Sequence, residues 1–222
     1  MIELTPKKLL KLHMDCMFTY QKNRMVYVNE PWGCTASAPL LMVGHTTEGD
    51  ILYRFGQHAN TDFIKKAESL LFSGIRDSST YQEELGIPIG SQELCFYTAS
   101  AAGSTTNCRL LSSKDAELLE TTFKGYAAEI SAAQPYVGYF CDGKIVSVCR
   151  SVRKARGHEA GIETLPGYCR RGYAQAVLKY WTTAVQQQGF VPLYSADIAN
   201  TASLQLAQKS QCAMYASAFM LG

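Results

Sequence analysis

Apolar residues recur along this chain with two periods, one helical and one strand-like, and the switches between them mark its elements. Leu9, Leu10, Leu12, Met14, Met17 and Phe18 fall at helical spacing and predict a helix to about Tyr20. Thr5 and Pro6 ahead of them supply a hydroxyl N-cap and a proline at the first helical position. Residues 24–28, 40–44 and 51–55 are short runs bounded by Gly, Pro, Asn and Asp, which predicts three strands. Phe63, Ile64, Ala67, Leu70 and Leu71 then predict a second helix, capped by Thr61 or Asp62. Over 73–90 the pattern breaks up, as expected for a loop with one helical turn. A strand over 92–98 follows, and then a small, Ser/Thr/Gly-rich linker over 99–106.

The second half is more regular. A short strand over 107–111 leads to Ser112 and Ser113, with acid in the next turn, and a helix to about Gly125. A second helical piece is expected over 127–133. Residues 136–141 and 144–149 flank Asp142-Gly143, the pair preferred in a type I′ hairpin turn. After a β-rich run into Pro166 and Gly167, Ala174, Val177, Leu178, Trp181 and Val185 return to helical spacing. A strand over 191–195, a short helix over 201–209 and an apolar final strand over 213–221 complete the chain.

Composition narrows the class. The 222 residues are 47% hydrophobic and 18% charged, enough to bury a real core. A net charge of +2 with scattered basic residues argues against a nucleic-acid-binding face. None of the eight cysteines shows C-x-x-C spacing, the N-terminus lacks the apolar core of a signal peptide, and no apolar run could span a bilayer. These features predict a cytoplasmic protein with reduced thiols, no metal and no membrane partner.

The most informative stretch is 161–174. A strand, a tight turn and a helix start carry Arg170, Arg171 and Gly172. Backbone N–H groups converge at a helix N-terminus, the helix dipole adds positive potential, and glycine lets a ligand approach. The chemistry suits a phosphorylated ligand, although a turn with a solvated face uses the same residues. The run at 170–174, followed by the segment 192–203, resembles the GNAT acetyltransferase superfamily. Residues 145–149, 159–164, 194–195 and 200–203 resemble a bacterial branch with an extra N-terminal region. The resemblance is close over 106–222 and faint over 1–105.

That resemblance implies an α+β fold: a twisted, mainly antiparallel sheet, splayed at an acetyl-CoA cleft, flanked by helices and preceded by an N-terminal α/β subdomain. The division falls between residues 1–105, packed against the acceptor side, and 106–222, the acetyltransferase domain. It implies transfer of acetyl from acetyl-CoA to a primary amine, on a small molecule or a peptide, and it admits a homodimer. A non-catalytic acyl-CoA-binding module is the alternative.

In the superfamily the amides of the turn corresponding to Cys169, Arg170, Arg171, Gly172, Tyr173 and Ala174 cradle the pyrophosphate. The backbone of Ile162, Glu163 and Thr164 pairs with pantetheine, and one N–H there, that of Ile162, could stabilise the oxyanion. Cys169 stands where the common pattern has Gln or Arg. Asn200 and Ser203 fit the motif after the next strand, with Asn200 capping the helix and contacting pantetheine. Glu159 and Glu163, four apart and hence on one face of a strand, are candidate general bases, with His158 behind them. Pairing with Arg153 or Arg156 is the structural alternative for both acids. Ala207 occupies the position of a tyrosine that in many members protonates the leaving thiolate; Tyr194 and Tyr215 are possible substitutes.

Overall fold

The computed structural model describes residues 4–33, 36–98 and 105–222. The chain opens with α1 (Pro6–Met17), where Thr5 Oγ1 accepts the Lys8 N–H at 3.4 Å. The helix stops short of Tyr20, because Phe18 is already extended at φ −132° and ψ 153°. Phe18 starts β1 (Phe18–Gln21), which folds antiparallel onto β2 (Arg24–Val28) through Lys22 and Asn23, both at positive φ. Phe18 is buried as a strand residue just as Met17 is as a helical one, so an apolar side chain there does not decide between helix and strand.

β3 (Leu41–Thr46) and β4 (Ile51–Phe55) form a hairpin. The cap of α2 (Thr61–Phe72) is Asn60, one residue earlier than expected, whose Oδ1 accepts the Phe63 N–H at 2.8 Å. Within 73–90 lies a full helix, α3 (Ser78–Leu85), rather than one turn in a loop. Asp77 caps it and Gly86 ends it in the left-handed region. Tyr81 is its one buried residue, so α3 carries no apolar stripe to read.

Next come β5 (Ile89–Tyr97) and β6 (Cys108–Leu110). The stretch 99–104 of the expected linker lies outside the described residues, as does Cys34. The helix expected to Gly125 is a 3-10 turn at Ser113–Asp115 followed by α4 (Ala116–Thr122). The second helical piece is only a 3-10 turn, Tyr126–Glu129. β7 (Tyr136–Cys141) and β8 (Lys144–Lys154) form the expected hairpin, with both Asp142 and Gly143 at positive φ. β9 (Gly157–Thr164), a 3-10 turn at Pro166–Tyr168, α5 (Tyr173–Gln187), β10 (Val191–Asp197), α6 (Thr201–Lys209) and β11 (Ala213–Leu221) follow.

The strands build a mixed, mainly antiparallel nine-stranded sheet in the order β4-β3-β11-β5-β10-β9-β8-β7-β6. β9 and β10 are the one parallel pair among the described residues. β5, from the first half of the chain, lies between β10 and β11 and is antiparallel to both. The sheet therefore runs unbroken across the division expected near residue 105.

Helices cover both faces. Leu9, Leu10, Met14 and Met17 of α1 pack on one face against Cys95, Leu193, Tyr215 and Ala216. Leu119 of α4 covers the same face further along, over Tyr136, Ile145 and Val148. On the opposite face Val177, Leu178, Trp181 and Val185 of α5 bury Val137, Cys149, Ala160 and Tyr194. Each such fully buried side chain contributes about 1.5–3 kcal/mol of transfer free energy. All seven described cysteines are free thiols. No helix among the described residues is long and apolar enough to cross a membrane.

Candidate active site

The sheet opens between β9 and β10. Their pairing is confined to Val191↔Gly157, Pro192↔His158 and Leu193↔Glu159. Beyond that point β10 follows β5, from Leu193↔Tyr97 to Asp197↔Glu93, while β9 stays on β8 to Ser147↔Thr164. The Leu165 N–H donates to Val146 O at 3.0 Å. Alternation along that ladder gives Glu163 and Gly161 the backbone bonds to β8. The N–H and C=O groups of Ile162 and Thr164 turn to the other edge, where β10 has departed. A side chain at Gly161 would overlap Val152, the extra residue of a bulge in β8.

At the far end of this edge stands the N-terminus of α5. Gly172 sits at φ 82°, and a Cβ added there would meet nothing within 4 Å. Ala176 N–H to Gly172 O is the first bond of the helix, so the amides of Tyr173, Ala174 and Gln175 have no partner within it. No side chain caps this end and no acid lies in its first turn. Arg170 and Arg171 are exposed beside it, Arg171 over the Tyr168 ring at 5.4 Å. Tyr173 stacks on Tyr139 with ring centroids 4.2 Å apart. Cys169 is exposed, and its thiol turns toward Leu165 O at 3.5 Å and Thr164 O at 3.8 Å rather than toward a histidine.

Across the next strand, Asn200 Oδ1 accepts the Ser203 N–H at 3.1 Å and caps α6 as the sequence predicts. Ser203 O in turn accepts the Tyr194 hydroxyl at 3.4 Å. Burial pushes the Tyr194 phenol up to about 12. Ala207 is fully buried. Tyr215 is buried against α1 on the other face of the sheet.

The two expected base candidates do share a face, that of α1 and α4, but in contrasting settings. Glu159 is 2% exposed and fully engaged. Oε1 lies 3.1 Å from His13 Nε2 and accepts the Ser195 hydroxyl at 2.6 Å, and Oε2 accepts Arg153 Nη1 at 2.7 Å. Tyr215 Oη lies 2.6 Å from the other nitrogen of His13. Burial alone would raise the Glu159 carboxyl, but Arg153, His13 and Ser195 outweigh it and hold the group far below the ordinary range. Burial likewise works against the His13 imidazolium, yet Cys95 and Glu159 beside it keep its pKa well above the ordinary value. As an imidazolium, His13 donates to Glu159 and to the Tyr215 oxygen at once. Glu159 thus forms the ion pair with Arg153 that the sequence offers as the structural alternative.

Glu163 is exposed and accepts the Tyr126 hydroxyl at 3.0 Å. Tyr126 is held under the Arg150 guanidinium at 4.2 Å, which also pairs with Glu129 and lies 5.9 Å from the Trp32 ring. His158 points to the α5 face. It stacks on Phe190, its Nδ1 lies 3.1 Å from Ser151 Oγ, and burial lowers it to about 4. It is separated by the sheet from both acids.

Of the partners of Glu159, Arg153 was legible in the sequence, whereas His13 and Ser195 were not. His13 lies on an apolar helix face and reads as core, and Glu93 is the second residue of the strand expected over 92–98. Nothing local marks Glu93, since Gln92 and Leu94 flank it; only the inner position of its strand in the sheet leaves a lone acid in need of a partner or a task. A cavity of about 530 Å³ lined by Lys11, Tyr20, Arg24, Tyr53 and Arg54 lies away from the splay and touches none of these groups.

Residues 113–210 match the family model for GNAT acetyltransferases. Over these residues the chain belongs to the GNAT superfamily. No curated protein matches the chain. Among solved structures, a conserved protein of unknown function from Staphylococcus epidermidis ATCC 12228 is 11% identical, with 96% of each chain covered and a TM-score of 0.56. A protein assigned to the GNAT family of acetyltransferases, from Novosphingobium aromaticivorans DSM 12444, is 16% identical over 62% of this chain and 67% of its own, with a TM-score of 0.50. These likenesses are of fold. The first extends to the whole chain, so the fold of both halves together recurs there.

Proposed function

We propose that this GNAT protein transfers the acetyl group of acetyl-CoA to a primary amine by direct attack in a ternary complex. One observation carries the reading: β9 and β10 part beside a helix N-terminus whose amides are uncapped and whose Gly172 has open space around it. Such an edge pairs with an extended amide chain, and such a terminus binds an anion. Pantetheine has the first character and pyrophosphate the second. The out-turned backbone of Ile162 and Thr164 would hold pantetheine, with Glu163 between them bonded to β8. The amides of Tyr173, Ala174 and Gln175, with Arg170 and Arg171, would hold the pyrophosphate, Cys169 flanking them and Asn200 and Ser203 bordering the opening from α6. Because backbone groups dominate, Cys169 in the place of Gln or Arg weakens the cradle without abolishing it.

Acetyl-CoA, when bound, supplies an activated thioester carbonyl. The protein holds it beside the amine, keeps water away, and offers the Ile162 N–H to the developing oxyanion. The acceptor enters from the α1 and α4 face, where Tyr126, Glu163 and Trp32 line the approach. The first half of the chain supplies α1 and Trp32 to this side, which supports an acceptor-shaping role for residues 1–105.

Buried Ala207 favours a second reading, an acyl-CoA-binding module that turns nothing over. Thiol release from acetyl-CoA in the presence of a panel of primary amines (polyamines, amino acids, aminoglycosides and peptides) separates the two. Amine-dependent release supports transfer. Binding of acetyl-CoA with no release from any amine supports the module.

A further inference from the structure

We propose that Glu93 is the carboxylate that accepts the proton of the attacking amine; the assignment rests on the acetyl-transfer reading above. Glu93 lies on β5, opposite Asp197 of β10 and Ala218 of β11. Cys95 and Tyr97, its alternate neighbours, pack with the α1 cluster, so Glu93 points to the same face as Ser195 and Glu159. It is diagonal to Ser195, within reach of a long side chain across a strand pair. The inserted strand from the first half of the chain therefore delivers a carboxylate to the side of the splay from which the acceptor approaches.

The hydrogen-bond inventory separates Glu93 from the other acids. Both Glu159 oxygens are occupied by His13, Ser195 and Arg153, so protonating it would break an ion pair. Glu163 is exposed and takes the Tyr126 hydroxyl. Glu93 Oε2 is buried and has no partner among the described residues. Arg153 Nε, in the same cluster, is a buried donor that also has none. A buried acceptor and a buried donor left open together suit a group that both donates and accepts, as a neutral amine does.

The surroundings set the proton affinity. Burial raises the Glu93 carboxyl first, and the fixed charge of Glu159 on β9 raises it further. His13 of α1, Ser195 of β10 and Arg153 of β8 act in the opposite direction without cancelling the rise. Cys95 on β5 and Tyr215 on β11 also face it, and burial raises both. A carboxylate raised above its ordinary value is a better base near neutral pH than Glu159, which is held far below it. In the step itself the amine nitrogen bonds to the acetyl carbon, Glu93 takes the nitrogen's proton and the carbon–sulfur bond breaks. The sulfur leaves as thiolate and takes a proton from solvent, while Glu93 returns its own to solvent.

The test compares wild type, Glu93→Gln and Glu93→Asp with acetyl-CoA and the fastest amine of the panel. Glu93→Gln is expected to lower kcat/KM by about 10²–10⁴-fold. It should also remove the acid limb of the pH profile while keeping the acetyl-CoA-dependent rise in Tm; Glu93→Asp should restore part of the rate with the limb. A Glu93→Gln enzyme with wild-type rate and limb overturns the assignment and leaves acetyl transfer standing. Wild type without turnover overturns acetyl transfer, and the assignment with it. Carboxyl-carbon NMR of the wild type guards against a misfolded variant. One glutamate must titrate above the ordinary range, and its absence also overturns the assignment.

Discussion

Replacing Glu159 by Gln keeps the size of the side chain and removes its charge from a cluster that depends on it. Arg153 retains a quarter of its side-chain exposure and can recover some water, but His13 is fully enclosed. It must either stay charged without a counter-ion or give up its proton. Breaking one side of such a buried pair costs about 3–5 kcal/mol. For a chain of this size each kcal/mol lowers Tm by about 2–4 °C, so the variant should melt roughly 6–20 °C lower. The pH dependence adds a signature. Glu159 is depressed in the fold, so its contribution is present above the unfolded value of about 4.3 and is lost as pH falls through the lower folded value. His13 is raised, so its contribution is complete below about 6.5 and is lost as pH rises through the folded value. Together they are strongest between about pH 4.3 and 6.5, and Glu159→Gln should remove that maximum. Urea unfolding followed by circular dichroism across this range measures both effects. A loss below about 1 kcal/mol with an unchanged pH profile would refute the idea that this network holds α1 to the sheet.

Three further outcomes are expected. Asn200→Ala should cost about 1 kcal/mol by uncapping α6, read as a Tm lower by about 2–4 °C. His158 is lowered to about 4, so wild-type stability should fall as pH drops from about 6.5 toward that value; His158→Gln should flatten this part of the urea-midpoint profile. Gly172→Ala adds only the strain of a left-handed backbone, about 1–2 kcal/mol, because its Cβ has open space. Gly172→Glu adds a carboxylate to the anion site as well, so its acetyl-CoA-dependent Tm rise should vanish while that of Gly172→Ala persists.

The second half of the chain was legible because each element carries its own local signal. Asp142-Gly143 defines the hairpin, Gly172 and the stripe from Ala174 to Val185 define α5, and Asn200 defines α6. In the first half the strands could be read but not their partners. Nothing local in 89–97 says that β5 will enter between β10 and β11, because pairing over such distances depends on the other strands. α3 escaped because it presents a single core residue, Tyr81, and the 3-10 turns because they are too short to show a period. At the site, backbone positions such as Gly172 were recoverable from the turn. The side-chain chemistry was not, since Glu159 and Glu93 look alike in sequence. Only the distances to His13, Arg153 and Ser195 distinguish a satisfied ion pair from an open carboxylate.

Amide hydrogen exchange with and without acetyl-CoA at about 1 mM, well above a micromolar affinity, tests the central claim most directly. New protection is expected at Ile162 and Thr164 on the open edge of β9 and at Tyr173, Ala174 and Gln175 at the start of α5. Protection absent there, or confined to the Lys11, Arg24 and Arg54 cavity, would contradict it.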